Sequence, residues 1–418
     1  MQTSAVYPPG PADWRKSLLE IQRSPTDFLL NLQRTYGDFV HYRHGPAHCY
    51  LINAPDLIRE VLVDNADQMT RPPVTERSIG RFLGHGLLTS SGDYHAAQRK
   101  TMQPMFTPSW IAAYAPTMQV CVSELLSTWV EGAVRDLSQD MADLTMNIIY
   151  RTVFGTGVPH LQAGVRSAIE TLQHYSGEML RRTPTITEAQ VVQAVAQLDA
   201  AVDEITASHN SSTDSESLTA RLLRANGTDD RHLTARQIRD EAVTLFVAGQ
   251  ETSANALSWL FYLLAQHPNA VDALRTGDEP DLIEWTILEA LRLYPPAWLI
   301  GRTPKAPYPM RGYTIQPGDS LVISPYVLHR TAELFAAPDE FLPERFKDAP
   351  PRYGFLPFGT GPHVCIGQAF AMQEMTLTLT EVLKHWQIEL TSTDPIEPEP
   401  LVTLQPKTHI RAIIHQHA

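Results

Sequence analysis

Cysteine is scarce in this 418-residue chain: Cys49, Cys121 and Cys365 are the only three. Three cysteines build no disulfide framework and fill no four-cysteine zinc or iron–sulfur site, and their scarcity fits a reducing cytoplasm. Long apolar runs are missing too. No stretch approaches the roughly 20 apolar residues of a membrane span, and the opening Met1-Gln2-Thr3-Ser4-Ala5-Val6 leads into no apolar core of signal-peptide length. Basic residues are outnumbered, with 33 Lys and Arg against 46 Asp and Glu, and the net charge of -13 argues against a nucleic-acid partner. No linker, low-complexity tract or repeat divides the chain, so one domain over 1–418 is expected. Hydrophobic residues, at 43%, suffice for a large core.

What is present gathers around one cysteine. The stretch Phe358-Gly359-Thr360-Gly361-Pro362-His363-Val364-Cys365-Ile366-Gly367 precedes a helical pattern from about Gln368 to Trp386, with Ala371, Met375, Leu379, Val382, Leu383 and Trp386 on one face. Cys365 thus stands near a helix N-terminus, where free N–H groups and the helix dipole bias a thiol toward thiolate. Gly361 and Gly367 allow backbone shapes that a side chain would block, and close approach of a bulky partner. Alone, Cys365 reads equally well as a buried free thiol at a helix start.

The full string decides between these readings. Phe358, Gly361, His363, Cys365 and Gly367 resemble the haem-binding loop of the cytochrome P450 family at every fixed position, with His363 where the family more often has Arg. The resemblance implies haem b, with Cys365 as axial thiolate ligand of the iron. Four further motifs are similar to the same family. His95 and Arg99, four apart on one helix face, would hydrogen-bond a haem propionate, as would Arg302. In Ala248-Gly249-Gln250-Glu251-Thr252, Gly249 is costly inside a helix and Thr252 can bond back one turn, which together can open a groove. The family holds oxygen in this groove, so Ala248 and Gly249 would flank the cofactor, and Glu251 and Thr252 match its acid–alcohol proton pair. Glu289 and Arg292 share a face, and the resemblance joins them to Arg345 in a buried, structural charge cluster. The same resemblance surrounds the substrate with Phe82, Phe246, Trp298, Leu299, Ile300, Leu401 and Val402. Arg77 and Arg81 could anchor a carboxylate at the pocket mouth, although two solvated arginines is the simpler reading.

Local signals place the elements. Ser24 caps and Pro25 opens a helix to Tyr36. Phe39–Tyr42 and Cys49–Asn53 read as a hairpin. Asp136 to Gly155 is a core helix, and His160 to His209, broken at Thr183-Pro184, is helical and matches the family's substrate lid. Ser211 to Ser217 is a polar loop. Thr234, with Gln237 three residues on, caps a long helix to about His267. Short strands are expected at Tyr313–Ile315, Leu321–Ile323 and Thr408–Ile414.

The expected fold is mainly α with a small β-rich subdomain, in 30–70, 295–325 and 400–416, around a buried haem. The expected function is a bacterial-type monooxygenase without a membrane anchor that activates O2 and inserts one oxygen atom into a hydrophobic substrate. Electrons would come from NAD(P)H through a flavoprotein reductase and a separate ferredoxin or flavodoxin. Arg99, Lys100, Arg352 and Lys384 are the candidate basic patch for that partner. A peroxide-fed peroxygenase usually has Arg-Pro in place of Glu251-Thr252, and a haem-thiolate sensor would need no such pair.

Overall fold

The computed structural model describes residues 7–155, 161–210, 217–225 and 233–417. Asp13 accepts the N–H groups of Arg15 and Lys16 and starts a helix, Trp14–Arg23, that the sequence reading did not include. Ser24 closes it, then caps Pro25–Tyr36 by accepting the Asp27 N–H. The hairpin follows, Phe39–His44 against Ala47–Ile52, in the register Phe39 to Ile52. Both of its faces are covered: Val40 and Leu51 are fully buried on one side and Ile52 on the other. This hairpin edges a five-stranded sheet in the order Phe39–His44, Ala47–Ile52, Ser320–Ile323, Ile300–Pro304, Met69–Thr70. The pairing of Ala47–Ile52 with Ser320–Ile323 is parallel, and the others are antiparallel.

The helical mass surrounds Ala235–Gln266, a 32-residue helix opened by the expected capping box of Thr234 and Gln237. From Ile238 to Leu264 its residues are buried on every side, with three exceptions: Ala248, Gly249 and Thr252. A helix buried all round must be wrapped by others. Leu137–Ile149, Leu282–Leu293 and Gln368–His385 pack against it, and Glu188–Asn210 lies across its start. Glu188–Asn210 also packs against Gln162–Arg181, and these two helices form the segment matched to the lid.

Two strands fall outside the expected β-rich segments. Arg411–Gln416 pairs with both Val134–Asp136 and Trp386–Leu390. The helix after Cys365 therefore stops at His385, and Trp386 opens a strand rather than closing the helix. The core helix expected to Gly155 ends as a π-helical turn, Tyr150–Phe154. The polar loop at Ser211–Ser217 lies outside the described residues apart from Ser217, as does His160 at the start of the lid segment.

Candidate active site

Cys365 sits two residues before Gly367, the N-cap of the helix Gln368–His385. Its N–H donates to Phe358 O at 2.9 Å, which closes the loop on itself. The side chain is accessible, yet burial pushes its thiol pKa up, against the pull of the Gly367 N–H and the Arg99 guanidinium. Both facts hold if the sulfur faces an opening deep inside the protein. The expected bias toward thiolate from the helix start is thus outweighed by desolvation. Gly361 takes a backbone shape that a side chain would resist, with φ at +72°, and a Cβ there would collide with Leu62 O. The close partner is backbone.

Beside this loop lies a group of cations. The rings of His95 and His363 are 3.9 Å apart, and Arg71 Nη2 donates to His363 Nδ1 at 3.1 Å. Burial and the nearby Arg71 hold both imidazoles neutral, His95 near pKa 4 and His363 near 2. Burial lowers Arg71 to about 10 and Arg302 to about 9, and Arg71 further lowers Arg302. No ion pair to Arg71 or Arg302 occurs among the described residues, and Arg71 Nε is buried without a partner. Arg302 donates one N–H to its own neighbour, Gly301 O, at 2.8 Å. Buried arginines without an acid form a site for an anion. Arg71 was not foreseen: it meets His363 across 292 residues. Arg99, expected with His95 at a propionate, donates from Nη1 to Val364 O at 2.7 Å and braces the cysteine loop.

On the central helix, Thr252 Oγ1 donates to Ala248 O at 2.6 Å, the expected back-bond. These two residues and Gly249 are its only half-exposed positions within the buried run. Gly249 also answers a packing demand, because a Cβ there would stand 2.5 Å from Ile149 Cδ1. Glu251 is buried and does not bond Thr252. Its Oε2 accepts from Gln173 at 2.5 Å, its Oε1 accepts from Thr403 Oγ1 at 2.6 Å, and Asn255 donates to Thr403 at 2.8 Å. Burial raises Glu251 to about 7, opposed by the Thr403 bond. Gln173 and Thr403 carried no signal in the sequence, since both contacts are long-range.

The cytochrome P450 family model matches residues 7–412. The chain belongs to the cytochrome P450 family. It is 32% identical to cyclooctatin synthase of Streptomyces melanosporofaciens, over 95% of this chain and 92% of that protein. It is also 32% identical to cyclooctat-9-en-7-ol 5-monooxygenase of the same organism, over 91% and 88%. Among solved structures, CYP175A1 from Thermus thermophillus is similar at a TM-score of 0.80 and 26% identity, covering 98% of this chain and all of that one. The chain is a cytochrome P450 monooxygenase, and no helix among the described residues is long and apolar enough to cross a membrane. The family implies haem. The residues here fit it: a thiol open to the interior, and unpaired buried cations suited to its two carboxylates.

The P450 charge cluster closes tightly. Glu289 and Arg292, both 0% exposed, are joined at 2.7 and 2.9 Å, and Arg345 Nε reaches Glu289 Oε1 at 3.0 Å. Arg292 also donates to His329 O, Pro338 O and Glu340 O. His329, unforeseen, accepts the Leu356 N–H and thereby ties the cluster to the cysteine meander.

The apolar residues expected around the substrate are buried or half-buried. Phe246 is two residues from Ala248, about 200° around the helix, and its ring stacks on Phe154 at 5.3 Å, away from that face. Trp298 is buried in the sheet-side core, where its Nε1 donates to Leu401 O at 3.0 Å. It braces the loop. Leu299 packs beside it and Ile300 against the neighbouring sheet cluster. Leu401 is buried under Gly177, where a Cβ would stand 2.5 Å from Leu401 Cδ2, and Val402 is half-buried. Phe82 is fully buried, and its carbonyl accepts from Arg239. Arg81 has no free fork for a carboxylate, since it is paired with Glu188 and donates to Tyr175 Oη.

Proposed function

We propose that this P450 inserts one atom of O2 into a lipophilic, terpene-like substrate, with electrons from NAD(P)H delivered by a flavoprotein reductase and a ferredoxin or flavodoxin. The observation that carries the reading is the accessible Cys365 beside buried, acid-free arginines, together with the half-exposed Ala248 and Thr252 on an otherwise wholly buried helix. Haem, when bound, supplies oxygen activation at an iron whose thiolate ligand favours O–O cleavage. Cys365 would be that ligand. Arg71, Arg302, His95 and His363 would hold the propionates.

Thr252 presents a hydroxyl at the opening, and Glu251 holds a carboxyl behind it with a pKa close to neutrality, suited to passing protons. In the observed state both oxygens of Glu251 accept hydrogen bonds, from Gln173 and Thr403, so proton transfer toward Thr252 requires that grip to loosen. The substrate class rests on the relatives' names, one of which specifies a cyclic alcohol. Of the four residues considered for the redox partner, Lys100 and Arg352 remain exposed, whereas Arg99 is engaged by Val364 O and Lys384 pairs with Glu381 at 2.7 Å.

The test is reconstitution with a ferredoxin and reductase under labelled O2. One labelled oxygen atom should appear in the product. Thr252→Ala should keep NADH oxidation while diverting it to hydrogen peroxide. An unchanged product yield per NADH in that variant would contradict the role given to Thr252.

A further inference from the structure

Two buried side chains on the central helix each keep a polar oxygen without a partner. Glu241 is 0% exposed; its Oε2 accepts the Leu87 N–H at 3.1 Å and its Oε1 has no partner. Thr244 is 4% exposed and its hydroxyl has no partner. Buried polar atoms are normally satisfied, and an unsatisfied pair one turn apart calls for a reason.

Their position supplies one. At 100° per residue, Glu241 and Thr244 lie within about 40° of Ala248 around the helix, on the stripe that continues to Thr252. At 1.5 Å per residue they stand about 10.5 and 6 Å along the axis from Ala248. The Gly86-Leu87 segment covers this spot: a Cβ on Gly86 would collide with Thr244 Oγ1, and Leu87 supplies the N–H to Glu241. Phe246, on the other face, meets Phe154. The polar pair therefore extends the one stripe that opens inward.

We propose that Glu241 and Thr244 form a subsite that hydrogen-bonds a hydroxyl of the substrate, so that the enzyme takes an alcohol over the hydrocarbon of the same skeleton. This rests on the reading that Ala248 and Thr252 mark the place of oxidation. The hydroxyl is then held about 6–11 Å along the helix from the reacting carbon, a span that a multi-ring or macrocyclic skeleton bridges. A hydroxyl both donates and accepts, and so do its two partners here. Burial, with Asp240 adding and the Leu87 N–H opposing, raises Glu241 to about 7, which leaves a carboxyl O–H available to donate. A carboxylate ligand would instead meet a second acid. This pair is what separates an alcohol from its parent hydrocarbon.

The test uses the haem-loaded enzyme and two probes of one skeleton, cyclododecanol and cyclododecane, titrated by the shift of the haem band and by calorimetry. The wild type should bind the alcohol about tenfold more tightly, because the hydrocarbon leaves both groups unpaired. Thr244→Val, which keeps the shape and removes the hydroxyl, should reduce the preference to about twofold. Glu241→Gln, which still donates and accepts, should retain it, and Glu241→Met should lose it. If both probes bind the wild type equally, or Thr244→Val keeps the full preference, the subsite is overturned while the lipophilic substrate reading stands. If neither probe binds, both are overturned.

Discussion

Two clusters of arginine and histidine lie close to the same loop, and they are built on opposite plans. Around Glu289 every charge is answered: Arg292 and Arg345 share one carboxylate, and the remaining donors end on backbone carbonyls. Around Arg71 no charge is answered. Two arginines and two neutral histidines converge, and Arg71 Nε is left buried and bare. A buried charge network completed within the chain belongs to the fold. One completed only by an outside anion belongs to a ligand. Residue type and burial alone do not separate them, because both are buried arginines beside histidine. The presence of the acid does.

The comparison is broken most easily at the closed cluster. Glu289→Gln leaves Arg292 charged and uncompensated, and it should lower apoprotein stability in urea by about 3–5 kcal/mol. A loss below about 1 kcal/mol would mean that the cluster does not hold the meander. The open cluster should behave the other way. Arg71→Gln or Arg302→Gln should leave apoprotein stability unchanged or slightly higher, and should weaken haem retention, measured by transfer to an acceptor protein, by about 10- to 100-fold. Equal loss of apoprotein stability in the two clusters would erase the distinction.

A pH series sharpens the contrast. Burial lowers His329 to about 3, so the folded protein keeps it neutral while the unfolded chain protonates it below about 6.5. The unfolded state then binds more protons, and stability falls as pH drops from about 6.5 toward 3. His329→Asn should flatten the wild-type loss by about 1 kcal/mol between pH 7 and 5.5. Parallel curves for the two proteins would show that His329 is not held neutral in the fold. The smallest effect is expected on the surface: Lys100→Gln with Arg352→Gln should slow electron transfer from an acidic ferredoxin a few-fold at low salt and little at high salt. A salt-independent rate change would rule out this face.

The elements that the sequence revealed are those set by near neighbours. Ser24 with Pro25, and Thr234 with Gln237, mark helix starts within three residues, and both caps form. Glu289 and Arg292 share a helix turn, so their pairing is local too. The cap at Asp13 was equally local, but the prolines before it concealed a helix start. What stayed hidden is what depends on distant chain meeting distant chain. Arg71 reaches His363, Gln173 and Thr403 reach Glu251, and His329 reaches Leu356. Facing direction was lost for a related reason. Phe246 is apolar and close in sequence to Ala248, yet two residues on a helix turn it to the opposite side.

The account stands on Cys365 as the residue that binds the iron. The direct measurement is the carbon monoxide spectrum of the reduced haem protein, taken for the wild type and for Cys365→Ser, Cys49→Ser and Cys121→Ser. Cys49 and Cys121 are buried, and desolvation raises their thiols to about 12 and about 11, so neither is placed to ligate. The red-shifted band should vanish in Cys365→Ser and persist in the other two. A band that survives in Cys365→Ser and disappears with Cys49 or Cys121 would contradict the account.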